Sequence, residues 1–349
     1  MADEGIFTSE AALLPEFLPE EPLHRESQLQ EISLALKPAV RNLRPDNLFL
    51  CGSPGAGKTT CAKHAMKQLS DYNPRVNCVY INCWEQNTKS AVLNEIGRSI
   101  EIGFPRRGLA NDEVFTRIIE FSKKSKATNI VFLDEFDQLV YKKEDGVVYD
   151  LTRAGENHGA NFSVVLISND VHLLDNLDQR IKSSLSAKKV DFPRYAPTEL
   201  KDILRERAKL CFRPNSWSEE AIALCAGHAA KLGGDCRIAL RTLWRAARFA
   251  ESEGDKITEK HVRRAFENSK DAAQAQSEVE EKILQELAKE KNNGGITAGA
   301  LYEALPLYSE RTVRTHLDNL ISRGAIEARD VEGKEAGGRG RTRMVKLKG

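Results

Sequence analysis

The sequence predicts a three-part α/β chain: a parallel sheet wrapped by helices, an all-helical unit, and a C-terminal helix-turn-helix closed by a two-stranded wing. Three observations predict it. Short apolar runs alternate with helical patterns as far as about residue 195, which is how a parallel sheet with crossover helices reads. After Pro193 and Pro197 the strand patterns stop and helical ones follow. Beyond a polar, alanine-rich stretch at 268–277, further helical patterns precede two short strand patterns with a glycine-rich loop between them.

The elements follow in chain order. Residues 1–20 are acidic and interrupted by Pro15 and Pro19, so they read as a mobile arm or a strap over the first domain. The strand candidates are Asn47–Cys51, Cys78–Asn82, Ile130–Leu133 and Val164–Ser168, each rich in β-branched or large apolar residues and too short for an independent helix. Helical patterns at about 197–211, 218–231, 236–252 and 258–267, broken at Gly233-Gly234 and Gly254, make the second unit. The stretch at 268–277 reads as a joint.

Composition sets the class. A chain of 349 residues with 41% hydrophobic and 30% charged residues has room for two or three soluble domains. Its net charge of +1 is unevenly spread: residues 1–26 carry seven acids against Arg25, and the last seventeen residues six bases against Glu335. A basic end on a neutral protein points to a local anionic partner. The seven cysteines are scattered and form no CxxC pair, so they read as reduced and packed, with no zinc site. With no membrane-length apolar stretch and no basic, apolar targeting pattern at the start, the expected compartment is cytoplasmic, with no membrane partner.

Gly52-Ser-Pro-Gly-Ala-Gly-Lys-Thr59 matches G-x-x-x-x-G-K-[ST] and sits after a buried strand and before a helix, where that motif belongs. Gly52, Gly55 and Gly57 let the backbone N–H groups of Ser53, Pro54's neighbours and Ala56 turn toward phosphates, and the helix beginning at Lys58, Thr59 and Thr60 adds its positive end. Lys58, expected to be solvated when no nucleotide is bound, reaches the β- and γ-phosphates, and Thr59 gives a hydroxyl to Mg²⁺. Ile130-Val-Phe-Leu-Asp-Glu-Phe-Asp137 delivers Asp134 to a strand end, where it holds Mg²⁺ through water. Glu135 beside it orients and deprotonates the attacking water, and the Asp-Glu pair favours a hydrolase of the AAA+ or helicase kind. Asn169, at the end of Val164–Ser168, is placed to hold the water or the γ-phosphate from the side opposite Glu135. Arg237 lies in the first turn of a helix capped by Asp235, where a cation is unfavourable unless an anion such as a γ-phosphate is near. Tyr195, just before the helical unit, completes the nucleotide-binding set.

The order of Leu23-His-Arg-Glu26, Gly52–Thr59, Asp134-Glu135, Asn169, Leu177-Asp-Gln-Arg-Ile-Lys-Ser-Ser-Leu185 and Gly234-Asp-Cys-Arg-Ile-Ala-Leu240 resembles the archaeal origin-recognition initiators, the Orc/Cdc branch of AAA+ proteins. The likeness runs from about Pro15 to the C-terminus. It implies that His24 and Arg25 line the adenine pocket, that Asn169 is sensor 1 and that Arg237 is sensor 2. It further implies a helical insertion at about 85–112 whose tip, with Arg106 and Arg107, touches DNA. In many AAA+ relatives an arginine after the sensor-1 strand enters the next subunit's site; here Ser184 stands at that place, leaving Arg180, or Lys182, to act in trans. Slow hydrolysis, retention of ADP and a monomer in solution that can assemble on DNA are the expectations.

The C-terminal unit reads without the family. Val279–Glu290 is an amphipathic helix, Ile296-Thr297 begin a second running to Leu305, and Ser309 caps a third that Gly324 stops. Val313, Leu317, Leu320 and Ile321 face inward, while Arg311, Thr312, Arg314, Thr315 and His316 face outward, suited to a major groove. Ile326–Arg329 and Arg343–Leu347 read as strands, and the wing around Gly333–Gly340 offers Arg339, Arg341 and Arg343 to phosphates or a minor groove.

The expected fold is therefore α/β: an AAA+ P-loop parallel-sheet domain at 21–195, an all-α lid domain at 196–270 and a C-terminal winged-helix domain at 277–349, after an arm at 1–20. The expected function is an ATP-dependent initiator that binds ATP/ADP and Mg²⁺, recognises duplex origin DNA and, by resemblance, recruits the replicative helicase. Two other readings stay open: a STAND-like nucleotide-switch signalling ATPase whose winged helix binds no DNA, and a transposition or clamp-loader helper ATPase.

Overall fold

The computed structural model describes residues 5–102, 109–289, 295–306, 308–322, 326–332 and 341–347. The chain forms two compact units, Met1–Val262 and Arg263–Gly349.

The first unit is built on a five-stranded sheet. Helix α1 (Glu26–Leu36) precedes β1 (Leu48–Gly52), followed by α2 (Lys58–Tyr72), β2 (Val76–Asn82), α3 (Lys89–Ser99), α4 (Asn111–Ser125), β3 (Thr128–Asp134), α5 (Asp137–Tyr141), α6 (Gly146–His158), β4 (Phe162–Ser168), α7 (Gln179–Leu185) and β5 (Lys188–Phe192). The strand order is β2-β3-β4-β1-β5, all parallel. Alternate residues of the central strands enter two cores. Phe49, Val131, Leu133, Val164 and Leu166 pack with Leu93 and Ile96 of α3 and Leu151 of α6. Leu48, Leu50, Ile130, Phe132, Val165 and Ile167 pack with Ile32 of α1 and Cys61 and Ala62 of α2. Burial on both faces explains why these strands are continuous apolar runs rather than alternating ones. Asn82 pairs with Asp134 across β2 and β3, and Cys51 with Ser168 across β1 and β4, so the carboxyl ends align along one edge. Ligands of open parallel sheets bind at that edge.

β5 was not expected. Its pattern, Lys-Lys-Val-Asp-Phe, buries only Val190 and Phe192, as an edge strand does. The stretch expected as a helical insertion holds α3, which is a crossover helix capped by the Thr88 side chain on Ala91 N–H and buried at Val92, Leu93 and Ile96.

The lid follows as α8 (Pro197–Cys211), α9 (Glu219–Lys231) and α10 (Cys236–Glu253), with alanines at 226, 229, 239, 246, 247 and 250 letting the helices approach closely. Helix α11 spans Glu259–Lys289 and runs through 268–277, where the sequence reading placed a joint. That stretch has no glycine or proline and carries three alanines, which favour helix over linker. Nor is the acidic start a mobile arm over its described part. Phe7 bridges Phe212 of the lid, Ala12 and Leu13 are buried in a 3₁₀ turn, and Glu10 accepts from Trp244 Nε1 at 2.7 Å and pairs with Arg248 at 2.6 Å. The acid that suggested a solvated arm is used as an anchor.

The second unit packs Val279, Ile283 and Leu287 of α11 against α12 (Ala298–Ala304), α13 (Glu310–Ser322) and an antiparallel sheet of β6 (Ile296–Thr297), β7 (Ile326–Glu332) and β8 (Arg341–Leu347) in the order β6-β8-β7. Its core adds Leu301, Leu305, Val313, Leu317, Leu320, Ile326 and Val345. Ile296-Thr297 thus belong to a strand, not a helix, because they complete the sheet against Val345 and Met344, and Thr297 caps α12 by accepting from Ala300 N–H. Three helices and a hairpin form the winged-helix arrangement.

Candidate functional site

The loop between β1 and α2 turns tightly around backbone. Gly55 and Gly57 have φ of 69° and 90°, in the region that favours glycine. A Cβ at Gly57 would meet the Tyr195 hydroxyl at 2.6 Å, and one at Gly55 would overlap the Asp235 carboxylate. The lid thus rests against the loop, and Cys236 N–H reaches Gly55 O at 3.4 Å.

Lys58 is 7% exposed, not solvated. Its Nζ donates to Gly52 O at 2.8 Å, Ser53 O at 3.0 Å and Asn169 Oδ1 at 2.8 Å, and burial lowers its pKa from the ordinary lysine value. The three donors of the ammonium are satisfied by two loop carbonyls and the Asn169 amide oxygen. Asn169 also donates through Nδ2 to Glu135 Oε2 at 3.0 Å. Because β4 lies between β1 and β3, its end brings the Asn169 amide within reach of both Lys58 and Glu135. Asn169 is therefore bonded to Glu135, not set opposite it. Glu135 has a φ of 53°, a strained value for a non-glycine residue at a strand end. Burial, then the charges of Asp137 and Asp134, push its carboxyl up, and Lys58 and the Asn169 bond oppose them.

Asp134 is buried among donors. Its Oδ2 accepts from Thr59 Oγ1 at 2.8 Å and from Tyr80 Oη at 2.6 Å, and its Oδ1 from Glu135 N–H at 3.0 Å. A carboxylate oriented by three donors, beside a threonine hydroxyl, suits an oxygen-liganded divalent cation. Tyr80 was missed in the sequence. The signal was its place on β2, two residues before the register partner of Asp134 and hence on the same face. Arg194, whose Nε meets Ser53 Oγ at 3.1 Å, was missed as well.

These groups border a cavity of about 980 Å³ whose wall includes Gly55–Thr60, Asp134, Glu135, Asn169, Tyr195, Arg237 and residues 14–23. That is at the upper end of the roughly 300–1,000 Å³ of small-molecule sites. His24 and Arg25 are not in its wall. Arg25, 2% exposed, donates to Ala56 O and Pro193 O at 2.8 Å each, and its guanidinium lies 3.7 Å from the Tyr195 ring centroid. It fixes the wall from behind. His24 pairs with Asp202 of the lid at 3.1 Å.

Arg237 is more than half exposed and turned onto its own cap, with Nη2 at 2.8 Å and Nε at 3.1 Å from Asp235. Arg180 is exposed on α7; Asp178 caps its backbone N–H, and no described carboxylate pairs with its side chain. Ser184 is tied into the helix core through Thr152 at 3.1 Å, and Lys182 donates to Asp175 O at 2.6 Å.

Comparison with known proteins places this architecture. A family model described as an AAA domain matches residues 42–177, and one described as a Cdc6 AAA+ ATPase-type lid domain matches 201–267. An ORC1-type DNA replication protein 2 of Methanosarcina mazei is 33% identical over 99% of this chain and 94% of its own. The chain belongs to the ORC1-type DNA replication proteins. An ORC1-type DNA replication protein 1 of Sulfurisphaera tokodaii is 37% identical over 74% of this chain, which spans 66% of that relative's length. The Aeropyrum pernix Orc1 protein, solved in complex with DNA, superposes with a TM-score of 0.74 and 28% identity, over 98% of this chain and 94% of that one.

In this ORC1-type chain the remaining candidates lie on the winged helix. Arg314 and Thr315 are exposed on α13, as expected. The Thr312 hydroxyl is engaged by the capping Ser309 at 2.8 Å. His316 is buried rather than outward, with Nδ1 3.4 Å from Glu280. The helical period brings it to the Leu317 side of the stripe. Arg343 is paired with Asp318 of α13 at 2.8 Å, joining wing strand to helix. The side chains of Arg311 and Arg341 and the whole of Arg106, Arg107 and Arg339 lie outside the described residues.

Proposed function

We propose that the protein is an ATP-dependent initiator that binds duplex origin DNA through its winged helix, uses slow, Mg²⁺-dependent hydrolysis as a switch, and helps recruit the replicative helicase. The observation that carries the reading is the bonded series Lys58–Asn169–Glu135 beside Asp134–Thr59 at the carboxyl edge of the sheet, in a chain alike over 99% of its length to a replication protein. Lys58 exchanges Asn169 and the loop carbonyls for phosphate oxygens. Thr59 and Asp134 would hold Mg²⁺, which would supply positive charge against the phosphates. Asn169, released by Lys58, orients water toward Glu135, the carboxylate placed beside it to accept the proton. Arg237 leaves Asp235 for the γ-phosphate and so couples the lid to nucleotide state.

Arg180, exposed and without a described ion-pair partner, is the candidate to act in trans on a neighbouring copy. An isolated monomer would then hydrolyse slowly and keep ADP. On the DNA side, Arg314 and Thr315 face the major groove, with Arg311 beside them, and Arg339, Arg341 and Arg343 meet phosphates. Arg106 and Arg107, outside the described residues, would add a second contact. A cytoplasmic location is part of this proposal and rests on the proposed DNA role alone.

The test is duplex binding by the full chain with ATP across a salt series. Phosphate contacts make log affinity fall with log salt at about 0.9 per contact. A steep slope with preference for particular sites supports an initiator, and absence of duplex binding supports a signalling switch. Binding without sequence preference, together with ring assembly, would indicate a clamp-loader-like helper.

A further inference from the structure

The first described residues of the chain are sewn to the lid, while the next ones wall the nucleotide cavity. Thr8 N–H donates to Cys211 O at 2.7 Å, Arg213 N–H to Ile6 O at 3.1 Å, and the Phe7 and Phe212 rings lie 5.3 Å apart. Glu10 is bonded to Trp244 and Arg248. Farther on, Phe17 sits over the guanidinium of Arg207 with 4.3 Å between charge centre and ring centroid, and residues 14–23 line the cavity. Arg25 then fixes the chain to Ala56 of the phosphate loop. The segment therefore leaves the lid, crosses the cavity wall and lands on the loop that cradles the phosphates.

Its two lid attachments differ in quality. At Glu10 a carboxylate is matched by two donors. At Phe17, Arg207 Nη1 is buried with no hydrogen-bond partner among the described residues, and burial pulls the guanidinium pKa below its ordinary value. Leaving a buried donor unsatisfied costs free energy. The Glu10 attachment is firm and the Phe17 attachment is marginal. Three prolines, at 15, 19 and 22, stiffen the piece between its two anchored ends, so it would bow outward as one piece and not by fraying.

We propose that residues 14–23 are a strap over the nucleotide cavity, held at its two ends by Glu10 and Arg25 and latched between them by Phe17 on Arg207, whose opening sets the rate of nucleotide exchange. The inference rests on the cavity being the nucleotide site. A gate has a kinetic signature that a simple wall contact lacks: weakening the latch speeds entry and exit together and leaves affinity nearly unchanged.

The experiment is stopped-flow fluorescence of mant-ADP with the full-length parent, Phe17→Ala and Phe17→Trp. Loss of the cation–π contact should raise both association and dissociation rates about tenfold in Phe17→Ala, and Phe17→Trp, which keeps a ring over Arg207, should stay near the parent. Rates of Phe17→Ala equal to the parent overturn the strap, as does a faster release with unchanged association, which marks a direct contact. A parent that binds no mant-ADP overturns the nucleotide reading itself, and that result is distinct from either. Arg248→Ala, which loosens the Glu10 end and not the latch, should raise the exchange rates less than Phe17→Ala; an equal or larger effect would overturn the assignment of Phe17 as the latch.

Discussion

Tyr80→Phe removes one oxygen and leaves the ring in place. That oxygen donates to Asp134 Oδ2 at 2.6 Å, and the same Oδ2 accepts from Thr59. Burial, then the Asp134 bond and charge, push the phenol up, so it remains a donor at any working pH. A hydrogen bond to a charged group is worth about 1.5–3 kcal/mol. Asp134 keeps two of its three donors, so the loss falls on orientation more than on fold. Removing an outer-shell partner of a metal ligand typically costs roughly 10–100-fold in metal affinity or activity. The expected result is a shift of that size in the Mg²⁺ concentration for half-maximal ATP hydrolysis, with metal-free ADP binding unchanged. The assay is phosphate release against free Mg²⁺ at saturating ATP, beside mant-ADP titration in EDTA. An unchanged Mg²⁺ requirement would refute the role given to Tyr80 and weaken that of Asp134.

Lys58→Ala should abolish or strongly weaken ATP binding in an equilibrium titration. Because it removes the hydrogen bonds from Lys58 Nζ to Gly52 O, Ser53 O and Asn169 Oδ1, it should also lower stability by about 1 kcal/mol or more in urea unfolding of the ligand-free protein. Glu135→Gln should keep nucleotide binding and lose turnover; parent-like phosphate release would remove Glu135 as the base. Arg314→Ala should cost roughly 1–3 kcal/mol on a preferred duplex if it reads a guanine, and less on random DNA, by fluorescence anisotropy. Arg180→Ala should leave dilute turnover unchanged and reduce it only at high protein concentration on DNA, where an arginine acting in trans is worth up to about 10³–10⁵.

The nucleotide loop and the ends of β3 and β4 were legible because each follows a strand buried on both faces, and such strands announce themselves as short continuous apolar runs. β5 was not, since Lys188, Lys189 and Asp191 face solvent and leave only two buried residues to signal a strand. Tyr80 and Arg25 were illegible in role for another reason: what they do depends on register and on a partner far along the chain. Arg25 was placed in a pocket by resemblance, yet it props Tyr195 and Ala56 from behind. Local charge misled at both ends of the lid, where an acidic stretch is an anchor at Glu10 and an alanine-rich one continues a helix through 268–277. His316 shows the limit of reading a helical face near its edge, one position from the inward Leu317.

The most direct test of the account is a footprint of the purified full-length protein on genomic DNA, with ATP, for the parent and for Lys58→Ala. The account predicts a few discrete protected sites for the parent, with weaker or altered protection when the nucleotide site is disabled. Uniform protection, or none, would contradict a nucleotide-governed initiator.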